Sequence, residues 1–347
     1  MVSGMIETET VMPRVARPQT RTFGAGIRSD VERTGSPTMK AIYLEKRAGA
    51  EGLVAGEIPR PNPKDDEVLV KVVATAVMPT EFDWFTTFTL PFGEPRPFPV
   101  VLSHEFSGVV EALGPKVTGV SVDDDIYGLN DWFINGAQAQ YCVVKASALA
   151  RKPKSIGHIQ SAVAPISALT AWQGLFEKAK VERGQRVLIH GAGGAVGSFA
   201  VQMARARGAR VIAPISSGNF EFVRSLGADE LIDYRMTRFE DAAKDVDVVF
   251  DTIGGDTLDR SWGVLAKSGR VVTVATKSAA TADKRVRDAF MLVRADGSQL
   301  TEIAGLIDAG DLRVFVSKVF PLAAARFAYV LARQRGRHGK VALRVLE

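Results

Sequence analysis

A single cysteine, Cys142, stands in a chain of 347 residues. No intramolecular disulfide can form, and neither a four-thiolate nor a Cys-Cys-His-His zinc site can be assembled. Long apolar runs are equally scarce. No stretch reaches the roughly 18 consecutive apolar residues of a membrane helix, so no membrane association is expected. Charge of one sign is also lacking: 44 Lys and Arg face 39 Asp and Glu, a net +5 spread along the chain. Without a basic stripe interleaved with aromatics, nucleic acid is not the expected partner, and the small excess suits an anionic small ligand. Met1 to Thr38 has no apolar core of the kind a secretory signal needs. Thr, Arg and Gly are frequent there, and Glu7, Glu9, Asp30 and Glu32 weigh against an organelle transit peptide. Lacking hydrophobic periodicity, residues 1–38 read as a disordered extension, with the folded protein beginning at Met39. A reducing compartment, the cytoplasm, is expected.

What is present is a globular composition, 46% apolar and 24% charged, enough for two domains with buried cores. To about residue 150 the pattern is β-rich: Lys40 to Leu44, Val68 to Val77, Glu105 to Ala112 and Ala139 to Ala146 are β-branched or alternating runs between Gly and Pro clusters. These read as a β-barrel with long loops. From Ala162 to Lys178 the pattern becomes helical. Short buried strands then alternate with helices: Arg186 to His190, Arg210 to Ile215, Glu230 to Asp233, Val246 to Asp251 and Arg270 to Val274. That alternation predicts an α/β fold with a doubly wound parallel sheet. The last fifty or so residues mix helices (Gln299 to Ala309, Ala323 to Arg335) with strands (Val314 to Phe320, Val341 to Val345) and are expected to return to the first domain.

The sharpest local signal runs from Arg186 to Ile212: a buried strand, a glycine cluster, a helix stopped by Gly208, and a second strand. In such a βαβ unit Gly191 permits the tight turn, Gly193 and Gly194 let the backbone approach a pyrophosphate, and Gly197 lets the helix pack on the strand. The residues opening the helix, Ala195, Val196 and Gly197, supply free N–H groups and partial positive charge to a phosphate. The glycine spacing departs from a plain G-x-G-x-x-G, but strand, helix and second strand are all in place. At the end of the second strand, where NAD sites carry a carboxylate, the turn reads Ile215-Ser-Ser-Gly-Asn219 with no acid. NADP(H) is therefore favoured, with Ser216, Ser217 and Asn219 as donors to a 2′-phosphate and Tyr234 and Arg235 completing the pocket. Read alone, the serines serve equally as helix caps.

The ordered motifs resemble the medium-chain dehydrogenase/reductases, and within them the zinc-lacking, ζ-crystallin-like quinone oxidoreductases. The resemblance runs from Met39 to the C-terminus. It rests on Val77-Met-Pro-Thr-Glu-Phe-Asp-Trp84, His104-Glu-Phe-Ser-Gly-Val-Val-Glu-Ala-Leu-Gly114, Leu169-Thr-Ala-Trp-Gln-Gly-Leu175, the Gly184 to Gly197 run, Ser225-Leu-Gly-Ala-Asp229, Asp251-Thr-Ile-Gly-Gly255 and Gly339-Lys-Val-Ala-Leu343. It implies a GroES-like barrel domain (39–164 and 297–347), a Rossmann domain (165–296), a cleft between them for cofactor and substrate, and a homodimer. Relatives that oxidise alcohols hold zinc through a cysteine, the histidine of a His-Glu pair and a third ligand. The position resembling that cysteine is Met78, a poor ligand where a thiolate is expected, so no metal is expected although His104-Glu105 is present.

By the same resemblance Thr80 sits where alcohol-oxidising relatives carry a relay hydroxyl, and His104 is a second candidate donor; each reads also as a structural residue. Met78, Trp84 and Trp132 are expected to line the substrate cleft. Ile253, Gly254, Val274, Ala275, Thr276 and Phe290 are expected around the nicotinamide. Glu81 and Asp83 read as solvated or paired loop carboxylates, and Arg333, Arg335, Arg337, His338 and Lys340 as a solvated helix face. Together these imply an NADPH-dependent reductase of quinones or α,β-unsaturated carbonyls. A zinc-type alcohol dehydrogenase and a non-catalytic NADPH-binding protein are the rival readings.

Overall fold

The computed structural model describes residues 37–275, 278, 281–334 and 336–346. Eight strands come first: β1 (Thr38–Leu44), β2 (Leu53–Pro59), β3 (Glu67–Ala76), β4 (Val100–Val101), β5 (Glu105–Leu113), β6 (Asp125–Leu129), β7 (Tyr141–Lys145) and β8 (Leu149–Arg151). β2, β4 and β8 escape the sequence pattern. β2 is interrupted by Gly56 and Glu57, and the other two are too short to show a period. β1 pairs antiparallel with β2, from Thr38 opposite Pro59 to Leu44 opposite Leu53, and with β4. β3 is the spine of a second sheet, pairing with β5 and with β7, while β6 joins β5 to β8. Its alternating Val68, Val70 and Val72 bury against Phe106, Val110, Ile126 and Val144.

The run from Ala162 to Lys178, expected as one helix, is three pieces. A short helix at His158–Ala162 precedes a second helix at Pro165–Trp172, which widens into a π-helical stretch at Gln173–Lys178. Pro165 is the reason for the break: it lacks an N–H and is suited only to the first turn of a new helix. Five parallel strands follow, β9 (Arg186–His190), β10 (Arg210–Pro214), β11 (Glu230–Ile232), β12 (Val246–Asp251) and β13 (Leu265–Thr273), in the order β11-β10-β9-β12-β13. Val187, Leu188, Ile189, Val211, Ile212, Val248, Val249 and Phe250 are all buried, as strands covered on both faces require. The chain leaves β9 toward β10 and β11, then crosses to β12 on the other side. The strand order therefore reverses at β9, and a crevice opens at the carboxyl ends of the strands, where open α/β sheets bind ligands.

The last segment does return to the barrel strands. A helix at Gly297–Asp308, capped by the Asp296 side chain on the Gln299 N–H, leads to β14 (Val316–Pro321) and β15 (Lys340–Arg344). These pair in parallel, and β15 adds antiparallel to β3. The helix expected over Ala323 to Arg335 is confined to Ala325–Ala332. This corrects the reading of the following cations as a solvated helix face. Lys340 opens a strand and is buried against Glu105, and the Arg337 guanidinium turns back onto the Leu331 and Gln334 carbonyls. His338 is half-buried, and Arg335 lies outside the described residues. Among the described residues no helix is long and apolar enough to cross a membrane.

Candidate active site

The glycine cluster forms the link from β9 to the helix Ala195–Ala206, with Gly194 at its N-cap. Gly191 has φ +73°, and a Cβ there would stand 2.2 Å from the Thr252 hydroxyl. At Gly197 a Cβ would lie 2.1 Å from the Gly191 carbonyl oxygen and 2.7 Å from the Ala192 Cα, so the fold itself demands a glycine. Gly193 differs. Its φ is not left-handed, and a Cβ there would find no atom of the protein closer than the Ile215 methyl at 3.4 Å. Nothing in the chain explains why this residue is bare. A cradle that a methyl would fill, at the start of a helix whose first N–H groups lack intrahelical partners, fits a bound pyrophosphate.

The carboxyl ends of β12 and β13 bring together the residues expected near the nicotinamide. The buried Asp251 carboxylate accepts the Ile253 and Gly254 N–H groups at 3.0 to 3.1 Å and the Thr273 hydroxyl at 2.7 Å. The turn is thereby locked to the neighbouring strand. Ile253 is 57% exposed, and a Cβ on Gly254 would meet that of Ala275 at 2.7 Å. Val274 donates its N–H to the Asp251 carbonyl, and Phe290 bridges in parallel to Thr273. Thr276 lies outside the described residues.

At the opposite end of the crevice, after β10, Ser216 is buried and Ser217 exposed. The Asn219 side-chain amide donates to the Ser216 hydroxyl at 2.8 Å. Sequence reasoning missed two residues here. Asp233 accepts the Arg235 N–H at 3.0 Å, and this bond, with Ser217 nearby, holds its carboxyl below the usual range. The turn itself carries no acid, but one arrives from the end of β11 and lies close to Ser217. Tyr234, beside it, is 54% exposed. The second residue is His338, whose Nε2 lies 2.7 Å from the Asn219 Oδ1.

On the barrel side, Met78 and Trp132 pack on the same hydrophobic cluster as Val274 and Met291 of the nucleotide side. Trp84 meets Trp132 edge-on at 5.3 Å, and the Trp132 indole N–H donates to the Val293 carbonyl at 3.3 Å. Thr80 is exposed. His104 is not at the surface of this wall but inside it, 2% exposed. Its Nδ1 lies 2.9 Å from the Asn130 Oδ1, and its ring sits 5.2 Å from that of Trp132. Burial, reinforced by the Arg96 guanidinium, pulls its pKa down to about 4, so the imidazole is neutral near pH 7.

Of the two expectations for Glu81, solvated or paired, the structure excludes the first. Glu81 is fully buried, whereas Asp83 is exposed, and the two do not form a pair. Glu81 accepts the Ser103 N–H at 2.8 Å and the Tyr329 hydroxyl at 3.2 Å, and stands 3.6 Å from the His104 Nε2. Burial pushes its pKa from 4.5 up to about 7. A carboxyl raised in the folded state favours folding fully below its unfolded pKa and loses that advantage as pH rises through its folded pKa. Stability is therefore expected to fall from about pH 4.5 to pH 7, by at most about 3 kcal/mol at ~1.36 kcal/mol per pKa unit. Glu81→Gln, which stays neutral, should flatten that slope when urea midpoints are followed from pH 5 to pH 8. An unchanged slope would refute the assignment.

The donor set does not fit zinc. Met78 offers a thioether, His104 has both ring nitrogens facing protein groups, and Cys142 is buried among the barrel valines with its thiol pKa pushed up. Among the described residues no group of three or more His, Cys, Asp or Glu side chains is arranged to hold a metal.

Two family models match the chain: "Alcohol dehydrogenase GroES-like domain" over residues 64–154 and "Zinc-binding dehydrogenase" over residues 226–343. A "Probable zinc-binding oxidoreductase, mitochondrial" of Arthroderma benhamiae is 32% identical over 83% of this chain and 91% of its own. An Arabidopsis thaliana "NADPH-dependent alkenal/one oxidoreductase, chloroplastic" is 31% identical over 87% of this chain and 78% of its own. The structure of the quinone oxidoreductase from Coxiella burnetii superposes with a TM-score of 0.82 at 28% identity, covering 89% of this chain and 100% of that one. Barrel, parallel sheet, glycine loop and these likenesses agree: the chain belongs to the medium-chain dehydrogenase/reductase superfamily of NAD(P)-dependent oxidoreductases.

Proposed function

We propose that this protein is an NADPH-dependent, zinc-independent reductase of quinones and α,β-unsaturated carbonyl compounds. The observation that carries the reading is the character of the cleft wall. Met78 and Trp132 pack on the same apolar cluster as Val274 and Met291, Trp84 lies edge-on to Trp132, and the buried His104 beside them is neutral. Such a wall suits a flat acceptor that needs little polarisation. The likeness to the alkenal/one oxidoreductase and to the quinone oxidoreductase supports the same substrate classes.

When bound, the reduced nicotinamide supplies the hydride. In this reading residues 165–296 hold the dinucleotide, while 39–164 and 297–347 form the catalytic wall. Gly191 to Gly197, with the N–H groups of Ala195 and Val196, cradle the pyrophosphate. Ser216, Ser217 and Asn219 take the 2′-phosphate with Tyr234. Ile253, Gly254, Val274, Ala275, Thr276 and Phe290 surround the nicotinamide. The exposed Thr80 hydroxyl donates to the substrate oxygen on which negative charge builds. His104, buried and neutral, stiffens the wall instead of giving up a proton, and solvent supplies the proton. The reading also has the protein as a cytoplasmic homodimer; the organelle names of two relatives make cell fractionation the check on the compartment.

The test follows absorbance at the nicotinamide band with NADPH and with NADH against quinones, enones, aldehydes and alcohols, with metal content measured on the same sample. Expected is turnover of quinones or enones, a preference for NADPH on the order of tenfold or more in kcat/KM, about 1.4 kcal/mol, and no loss with chelator. Chelator-sensitive alcohol oxidation would replace this reading with that of a zinc-type dehydrogenase. NADPH binding without turnover of any compound would replace it with a sensor.

A further inference from the structure

His338 belongs to the loop between the helix Ala325–Ala332 and β15, in the segment that pairs with the barrel. Its ring nevertheless stacks on Phe222 of the helix Phe220–Ser225, with centroids 3.7 Å apart and planes within 8°. The other edge of Phe222 meets Phe315 at 5.0 Å. Arg313, over Phe315, hydrogen-bonds the Ser225 carbonyl. The clamp fixes the imidazole with its Nε2 at 2.7 Å from the Asn219 Oδ1.

We propose that His338 sets the preference of this protein for a 2′-phosphorylated dinucleotide, acting through Asn219 as a positioning residue. The inference rests on the reading of the Ser216 to Asn219 turn as the adenosine end of the cofactor site. An amide oxygen only accepts, so the His338 Nε2 carries the hydrogen and donates to Asn219. With its oxygen facing His338, the amide turns its Nδ2 to the Ser216 hydroxyl and donates there at 2.8 Å. Ser216, accepting there, keeps its own hydrogen, for which no acceptor stands among the described residues. Donation thus runs one way, from His338 to Asn219 to Ser216, and ends in a free donor at the carboxyl end of β10.

A phosphate only accepts hydrogen bonds, whereas a ribose 2′-hydroxyl both donates and accepts. A turn that ends in a donor selects the phosphate. The selection matters more here because Asp233 lies close to Ser217, and its charge repels a phosphate. Without a donor at position 338 the Asn219 amide is free to turn over. The Ser216 hydrogen would then point at the Asn219 oxygen, leaving an acceptor toward the ligand, which suits the hydroxyl of NADH.

The test uses the full-length protein, with affinities for 2′,5′-ADP and 5′-AMP and the KM for NADPH and NADH. His338→Phe keeps a flat ring on Phe222 but has no donor; His338→Gln restores an N–H. Wild type should bind 2′,5′-ADP at least tenfold tighter than 5′-AMP. His338→Phe should lose about fivefold of that ratio, the effect falling on the KM for NADPH and not on kcat, and His338→Gln should recover most of it. Should His338→Phe fail to fold, Asn219→Leu cuts the same chain of donors and should lose the same ratio. Wild-type discrimination in His338→Phe or Asn219→Leu, or a His338→Gln as impaired as His338→Phe, would overturn the inference while the cofactor site stands. A wild type that does not distinguish the two nucleotides would overturn both.

Discussion

Gly193→Ala is expected to weaken NADPH binding about thirtyfold, ~2 kcal/mol, with no loss of stability, whereas Gly197→Ala, four residues on, is expected to unfold the nucleotide-binding sheet. Each change adds one methyl group to the glycine cluster, Gly193 in the loop and Gly197 in the first turn of the helix that follows. At Gly197 that methyl would stand 2.1 Å from a backbone oxygen of Gly191, which cannot move without displacing the end of β9. Overpacking against backbone on this scale costs about 3 kcal/mol or more. At Gly193 the methyl has 3.4 Å of clearance from the protein, and the backbone there is not in the left-handed region. Alanine also restricts the unfolded chain, which adds up to about 1 kcal/mol of stability where the conformation is compatible. The only thing the methyl displaces is whatever lies over the loop. Equilibrium binding of NADPH and urea unfolding of both variants separate the two roles. A Gly193→Ala protein that binds NADPH as wild type does would remove the pyrophosphate from this loop.

The contrast marks where the sequence is legible. The glycine loop can be read because all its determinants are local: strand, turn and helix lie within about thirty residues and their order is the signal. The parallel strands are legible for a similar reason, since burial on both faces leaves uninterrupted apolar runs such as Val187 to Ile189 and Val248 to Phe250. Glu81 shows the opposite case. Nothing around it marks it as buried, because the groups that satisfy it are Ser103, 22 positions away, and Tyr329, 248 positions away. Asp233 was missed at the cofactor turn for the same reason, since parallel pairing brings the end of β11 beside that of β10. The cations after Ala332 read as a solvated face because a terminal run of charges usually marks one. Only the pairing of β15 with β3 places Lys340 indoors.

Lys340→Met should therefore behave as a core substitution and not as a surface one. Lys340 is 6% exposed and its ammonium pairs with Glu105, which is fully buried. The second carboxylate oxygen of Glu105 accepts the Ile166 N–H at 2.9 Å. One carboxylate thus joins the start of β5, the start of β15 and the first turn of the helix Pro165–Trp172, which leads toward the nucleotide sheet. Removing the lysine leaves that carboxylate buried without its partner, a loss of about 3–5 kcal/mol where the charge is retained. Glu105 can escape part of the cost by taking up a proton. Burial already raises its pKa, and Lys340 is the main influence lowering it. Without the lysine the folded-state pKa moves further above the unfolded value of 4.5. A carboxyl shifted in that direction loses stability as pH rises from its unfolded toward its folded pKa. The variant should consequently be close to wild type near pH 5 and much less stable at pH 8, and Glu105→Gln combined with Lys340→Met should recover most of the difference at pH 8. Urea unfolding at the two pH values reads this directly. An equal deficit at both, or a double variant no better than Lys340→Met alone, would mean that packing of the lysine stem and not its charge holds the three elements together.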